Sequence, residues 1–469
     1  MKRFSELVFI ALLMLPLTVL SQNNARFAGS WAGKMDVGAM KLRLVLNIKD
    51  TTGMLRATID SPDQGAYGIQ MDKTAITGDA IKVESFVMSA SYEASILPGD
   101  SLLQGEWLQG GKTFDLLLHK VEKPVMLKRP QEPKPPFPYK EEEVKFVNRK
   151  AGIELAGTLT IPEGTGPFPA VVLITGSGPQ NRNEEIMGHK PFLVIADYLS
   201  RNGIAVLRCD DRGVGQSQGI FGKATTYDFA DDAEAAFTFL GKQPHIDKNH
   251  IGLAGHSEGG IIAPIVAARN KGVNFIILLA GTGVDGEQIL IAQVIKMMEV
   301  AGDKPGKVEE TRKLNAQLFR IVKEEPDSAT AMKSMVKAVE QAIKADTSIV
   351  ASEKDSHVQQ ISAGLPVMIT PWMRTFLILD PQQYLSKVKC AVLSLNGSKD
   401  VQVPCEMNQQ AIEKALKLGG NKNYKIQKLE GLNHLFQHCK TGLPSEYASI
   451  EETFAPEALS AMKDWILRK

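Results

Sequence analysis

Hydrophobic and polar positions change their period partway along the chain. Between residues 27 and 121 the period is two: Leu42, Leu44, Leu46 and Ile48 alternate with Lys41, Arg43, Val45 and Asn47, as in a strand with one buried face. Further β-like runs at 55–59, 81–88 and 114–119 are separated by turn-forming pieces such as Ser61-Pro62-Asp63 and Pro98-Gly99-Asp100. Two G-x-W units, Gly29-Ser30-Trp31 and Gly105-Glu106-Trp107, stand near the two ends of this stretch. They suit matching strands of a small barrel or sandwich with each Trp in the core, although two copies do not make a repeat architecture. Residues 22–121 therefore predict a small all-β domain. It holds no catalytic cluster, and it reads as a packing or dimerisation appendage in preference to a ligand-binding module.

Six prolines (Pro124, Pro130, Pro133, Pro135, Pro136 and Pro138) then crowd a charged stretch, which predicts an extended, semi-rigid linker over 122–140. From residue 141 the rhythm alternates between strands and helices. Runs at 145–148 and 155–161 predict an opening hairpin, and 425–429 a last strand. The short apolar runs at 170–174, 205–208, 251–254, 275–279 and 391–395 suit a parallel sheet buried on both faces. Helical patterns at 229–240 and 258–269 lie between them, so 141–469 predicts an α/β domain, mostly parallel sheet with helices on both faces. Between about 285 and 385 the strand signals stop, and 288–300, 308–323 and 329–343 read as the helices of an inserted cap.

Composition narrows the class. A chain of 469 residues predicts two or three compact units. A net charge of +1 gives no field suited to nucleic acid or an anionic membrane. Lys2 and Arg3 precede an apolar run over 7–20, and Val19-Leu20-Ser21 leads to a cleavage point near Gln22. That layout predicts a secretory signal peptide over 1–21 and an exported protein, periplasmic or secreted. No later run approaches membrane-spanning length, so no stable insertion is expected after cleavage. Four cysteines are too few for a disulfide scaffold. Cys405 and Cys439 follow two loops of one face, so a bridge between them stays open beside the blander reading of buried, unpaired thiols.

The chemistry concentrates in three places. Gly255-His256-Ser257-Glu258-Gly259 matches the nucleophile elbow G-x-S-x-G, with a strand before it and an apolar helix after it. Such a turn is too tight for side chains two residues either side of the serine. An oxyanion hole should come from the residue after the nucleophile and from a loop after an earlier strand. The loop Thr175-Gly176-Ser177-Gly178-Pro179 qualifies, so the amides of Ser177 and Glu258 are expected there, with Gly178 the alternative to Ser177. The acid and base follow in the order Ser, Asp, His. Asp400 lies just beyond the strand at 391–395, and His434 just beyond 425–429, where it can take the serine's proton while Asp400 fixes its tautomer. His434 and His438 also form H-x-x-x-H beside Cys439, but the Glu of H-E-x-x-H is replaced by Leu435. No metal and no cofactor are implied.

These motifs resemble the serine aminopeptidase-like branch of the α/β-hydrolase family, and within it bacterial esterases of the EstD type. The resemblance runs from about residue 141 to the end of the chain. It rests on T-G-S-G-P-Q-N-R-N-E from Thr175, D-D-R-G-V-G-Q-S from Asp210, G-H-S-E-G-G from Gly255, N-G-S-K-D-V-Q-V-P from Asn396 and G-L-N-H from Gly431. The related pattern shows acidic residues where Asn181 and Asn183 stand. The resemblance implies the α/β-hydrolase fold, Ser257, Asp400 and His434 as catalytic residues, and hydrolysis of a small-molecule carboxylic ester. A peptidase on the same fold and a non-catalytic binding protein are the alternatives. A homo-oligomer is compatible with all of this.

Overall fold

The computed structural model describes residues 25–37, 41–51, 54–64, 66–86, 88–122 and 128–468. The segment 1–21, read above as a signal peptide, and residues 123–127 of the proline stretch lie outside the described residues. The chain divides into two units, one up to Leu127 and one from Lys128.

The first unit consists of β1 (Gly29–Asp36), β2 (Lys41–Thr51), β3 (Met54–Ser61), β4 (Ala66–Met71), β5 (Lys73–Thr77), β6 (Ala80–Ser85), β7 (Ala90–Ile96), β8 (Leu102–Gln109) and β9 (Lys112–Val121). They form one antiparallel sheet in the order β4-β3-β2-β1-β9-β8-β7-β6-β5. Because β1 pairs with both β2 and β9, the first and last strands meet. Among the described residues every consecutive pair is hydrogen-bonded except β4 and β5, so the sheet curls into an up-and-down barrel with its seam there. Inward residues alternate along each strand, as with Ala90, Tyr92, Ala94 and Ile96 on β7. Both G-x-W tryptophans are buried inside the barrel.

The second unit is an eight-stranded sheet of β10 (Tyr139–Asn148), β11 (Ile153–Pro162), β12 (Phe168–Ile174), β13 (Ala205–Cys209), β14 (Ile246–His256), β15 (Phe275–Leu279), β16 (Ala391–Gly397) and β17 (Tyr424–Leu429). Its order is β10-β11-β13-β12-β14-β15-β16-β17. β10 and β11 form the antiparallel opening hairpin, β11 runs antiparallel to β13, and all later pairs are parallel. This strand order defines the α/β-hydrolase fold. The apolar runs are continuous because alternate residues serve opposite layers. Val172 and Ile174 join one core, Val171 and Leu173 the other.

Helices cover both faces. On one lie α1 (Pro191–Arg201) and, near the end of the chain, Pro456–Leu467; on the other lie α2 (Thr226–Leu240) and α3 (Gly259–Arg269), followed after β16 by Cys405–Leu418. Helix α2 starts at a capping box, Thr225 with Asp228. Between β15 and β16 the chain forms α4 (Gly286–Ala301), α5 (Pro305–Glu324), α6 (Ser328–Ala345), α7 (Lys354–Ser362), α8 (Pro371–Ile378) and α9 (Gln382–Leu385). Asp285, Asp327 and Thr370 cap α4, α6 and α8. These helices share a core of their own around Phe319, Met335, Val339 and Met368. Among the described residues no single helix is long and apolar enough to cross a membrane.

Of the stretch read as a spacer, residues from Lys128 onward belong to the second unit. Arg129 donates to the carbonyls of Gly188, Ala448 and Ile450, and the Gln131 amide group donates to that of Phe454. These charged and polar side chains fasten the proline-rich backbone to the loops at Gly188 and at 448–454.

Helix α3 crosses the sheet at van der Waals limit: a Cβ on Gly260 would lie 2.5 Å from the Cα of Gly281. Gly260→Val is therefore expected to destabilise the second unit by at least about 1–3 kcal/mol. A fall in the urea midpoint of its unfolding transition checks this, and an unchanged midpoint would contradict the close approach.

Candidate active site

The strands β14, β15, β16 and β17 run parallel and in step, with His256 opposite Leu279, Leu279 opposite Leu395, and Gly397 opposite Leu429. Residues that follow their C-terminal ends consequently emerge along one edge, where open α/β sheets place their ligands.

The chain reverses between β14 and α3 at Ser257, which adopts the left-handed conformation at φ 52°, a strained state for a residue with a side chain. The Ser257 amide donates to Leu279 O at 2.9 Å, and its carbonyl accepts from the Gly260 amide at 2.9 Å. A Cβ on Gly255 would lie 1.9 Å from Gly259 O, and one on Gly259 2.3 Å from Ile174 O. Both glycines are required by this packing. The reversal leaves Ser257 half-buried at the strand tip.

Asp400 and His434 meet. His434 Nδ1 lies 2.9 Å from Asp400 Oδ2, and both residues are buried. The other carboxylate oxygen of Asp400 accepts from the amides of Gln402 and Val403, each at 2.8 Å, which fixes the carboxylate. The turn bearing His434 is shaped by Asn433, whose side-chain oxygen accepts from the amides of Leu435 and Gln437 at 3.0 Å each.

A second buried histidine joins these pieces. His256 Nε2 lies 3.0 Å from the carbonyl of His434, and its Nδ1 lies 2.9 Å from Glu184 Oε1. The same Glu184 oxygen accepts the Gly176 amide at 2.9 Å. One ion pair thus connects the loop after β12, the elbow and the histidine turn. Burial opposes charge on His256, but the Glu184 carboxylate, with its hydrogen bond and the His434 carbonyl, outweighs it and raises the pKa. Sequence reading passed over both residues. His256 is the unspecified position of G-x-S-x-G, and Glu184 is one acid among many until the fold brings it 72 positions along the chain to the elbow.

The loop after β12 approaches the nucleophile, since a Cβ on Gly176 would lie 3.2 Å from Ser257 Cβ. The Gly176 amide is taken by Glu184, whereas among the described residues neither Ser177 nor Glu258 has a hydrogen-bond acceptor for its amide. Gly178 follows with φ 97°. The Glu258 side chain points away into the protein, accepting from Thr226 Oγ1 at 2.6 Å and from Trp372 Nε1 of α8 at 2.8 Å. Burial raises its pKa.

In the Asp210-Asp211-Arg212 stretch, Arg212 pairs with Asp232 at 2.6 Å, and Asp210 with Arg182 at 2.7 Å. Asp211 is held by Thr175 Oγ1 at 2.7 Å and the Gln180 amide at 2.9 Å, beside a small cavity of ≈ 50 Å³ that Phe221 and Phe229 also line. Burial pushes its pKa up to about 7. Where the related pattern has acidic residues, Asn183 accepts from Arg208 and Asn181 donates to Glu185. All four cysteines are free thiols, so the bridge left open for Cys405 and Cys439 is not formed; the Cys439 thiol contacts Gly431 O at 3.4 Å. His438 faces Glu452 at 2.9 Å and Glu457 at 3.1 Å. Among the described residues no three His, Cys, Asp or Glu side chains are grouped to hold a metal ion.

The fold and the elbow together place this unit in the class of α/β hydrolases. Residues 190–369 match the family described as serine aminopeptidase, S33. The chain is 28% identical over 281 residues to esterase EstD of Thermotoga maritima, an alignment covering 60% of this chain and 58% of that protein. It is 36% identical over 136 residues to the thiohydrolase aneE of Aspergillus aculeatus, covering 29% and 40%. The chain thus spans about half the length of these curated relatives. Among solved structures it is similar to the α/β hydrolase GrgF from Penicillium, with a TM-score of 0.41 and 19% identity over 63% of this chain and 91% of that one. It is also similar to the Pyrococcus furiosus esterase Pf2001, with a TM-score of 0.42 and 15% identity over 70% and 92%. The chain therefore resembles the serine aminopeptidase branch and its EstD-type esterases.

Two predictions follow from the buried charges. Glu184→Ala strands a buried His256 and is expected to cost about 3–5 kcal/mol in chemical denaturation, with Glu184→Gln costing less because it keeps an acceptor. The Asp211 carboxyl holds its proton to about pH 7 in the folded state and to about pH 3.9 unfolded. Its folded pKa is raised, so stability present below about pH 4 is lost as pH rises towards 7. Asp211→Asn, an isostere of the neutral acid, should gain about 2–4 kcal/mol on the wild type between about pH 4 and pH 8. Parallel denaturation curves at the two pH values would contradict this.

Proposed function

We infer that this chain is an exported serine hydrolase that cleaves small carboxylic esters, with Ser257 as nucleophile, His434 as general base and Asp400 as its orienting acid. The observation that carries the reading is the buried 2.9 Å contact of His434 Nδ1 with Asp400 Oδ2, at the sheet edge where Ser257 is presented by a strained turn. Lys2, Arg3 and the apolar run at 7–20 support export.

In this mechanism the Nδ1–H of His434 donates to Asp400, leaving Nε2 free to take the Ser257 proton as the hydroxyl oxygen attacks the ester carbonyl. The amides of Ser177 and Glu258, with Gly178 as alternative to Ser177, stabilise the oxyanion. The protonated His434 then gives its proton to the departing alcohol. Water, activated by the same imidazole, releases the acid from the acyl-enzyme. The His256 ring lies 4.8 Å, centroid to centroid, from that of His434, and it contacts that residue through the backbone carbonyl, which positions the turn without consuming the His434 Nε2. No step requires a metal or cofactor.

The helices of 286–385 act in this reading as a cap over the site. The bond from Trp372 to Glu258, the residue after the nucleophile, supports that placement. Met335 and Met368 are buried in the cap's own core, so apolar contacts to an acyl group fall to the half-buried Met297, Met298, Met332 and Trp372. The family description favours an aminopeptidase as the second reading. Glu258 is a poor anchor for a substrate ammonium, because burial raises its pKa and both of its bonds join on one oxygen inside the protein.

A fluorophosphonate probe should label wild-type protein at Ser257 and leave Ser257→Ala unlabelled. On a panel of acyl esters and aminoacyl amides, Ser257→Ala and His434→Ala should each lose about 10³-fold or more in kcat. Cleavage of amides alone would move the assignment to a peptidase, and an unlabelled folded wild type would refute a serine hydrolase.

A further inference from the structure

The proposed hydrolysis makes no use of the barrel, nor of the two G-x-W units that stand out in its sequence. The structure gives the two tryptophans different situations. Trp31 lies opposite Lys120 of β9 and Trp107 opposite Phe114 of the same strand. Six residues separate those partners, so the two rings sit about 20 Å apart along the barrel wall.

The Trp31 end is closed. Phe27 is fully buried, and its carbonyl accepts from Trp31 Nε1 at 2.8 Å. Lys120 Nζ lies 5.0 Å above the Trp31 ring and donates to Arg26 O at 2.8 Å. Arg26 reaches across to Asp100 and Asp79 at 2.8 and 2.6 Å. Above this plug the interior is filled by Leu46, Ile81, Tyr92, Leu103 and Leu118.

The Trp107 end is not filled. A cavity of ≈ 230 Å³ opens there, walled by Met35, Leu42, Ile59, Met88, Trp107 and Phe114. No side chain lining it is charged, and the exposed Gln109 accepts from Trp107 Nε1 at 3.1 Å at its rim. Apart from Ser61 and Gln109 its wall is apolar, and methionine and aromatic side chains adapt well to an aliphatic guest. Mouths of β-barrels are among the recurring places for small-ligand sites.

We propose that the N-terminal barrel is a one-ended cup that binds a single medium-length alkyl or acyl chain at the Trp107 end, leaving its polar head in solvent beside Gln109. This site lies in the first unit and is independent of Ser257.

The test uses the full chain carrying 5-fluorotryptophan at its four tryptophans, with Trp107→Phe assigning one resonance, and 1-octanol as ligand because it offers no ester to cleave. The Trp107 signal should shift saturably with octanol. Ile69→Phe with Met88→Phe, two half-buried rim positions, should weaken binding by about tenfold or more without altering fluorophosphonate labelling of Ser257. A Trp107 signal unmoved up to the solubility of octanol would overturn the proposal, as would a shift confined to Trp372. An unchanged midpoint in the double variant would overturn it equally. Should that variant fail to fold, the wild-type titration still decides.

Discussion

The second unit is organised around a backbone contact with no room in it. Where β14 ends and α3 begins, the chain passes so close to itself and to the end of β12 that a single methyl group at Gly255 or Gly259 would overlap a carbonyl oxygen. That contact forces Ser257 into a left-handed conformation. Sheet and helix packing on both faces sustain the strain, because neither β14 nor α3 can shift without opening a core. The parallel register of β14 to β17 then fixes what stands next to the turn, and the loops carrying Asp400 and His434 emerge at the same edge.

Charges buried around that edge do a different job. In a low-dielectric interior an unpaired charge is costly, so each one that stays has a partner and ties two segments together. His256 and Glu184 join the elbow to the loop after β12 and to the histidine turn. Arg182 with Asp210 anchors the far end of that loop to the end of β13. Asp211 and Glu258 differ: among the described residues neither has a cation paired with it, and burial raises the pKa of each, that of Asp211 to about 7. The substitution of asparagine at 183 fits this pattern, since Arg208 needs an acceptor there and finds a neutral one.

The barrel solves a simpler problem with similar residues. Closing a nine-stranded antiparallel sheet leaves one seam between β4 and β5, and inward positions alternate with outward ones around the wall. At one end aromatic and basic side chains seal the interior; at the other, flexible methionines and a phenylalanine line a space and do not fill it. Matching sequence motifs thus end in unlike surroundings.

Much of this was written locally. The period-two run of β2, the two-sided apolar runs of β12, β13 and β15, and the G-x-S-x-G turn with its flanking strand and helix each depend on residues within a few positions of one another. Steric and hydrophobic preferences at that range can be read from the chain. The helices between β15 and β16 were legible for the same reason, through their helical pattern and the absence of strand signals. What tertiary structure alone decided involves partners far apart: Glu184 beneath His256, Trp372 on Glu258, Lys120 over Trp31, and the free state of Cys405 and Cys439. It also decided that the proline-rich stretch from Lys128 is held by distant loops, because two of the carbonyls that receive Arg129, those of Ala448 and Ile450, lie 319 and 321 positions away. Hydrogen bonds and ion pairs act over about 3 Å in space at any separation in sequence, and only folding brings such partners within reach.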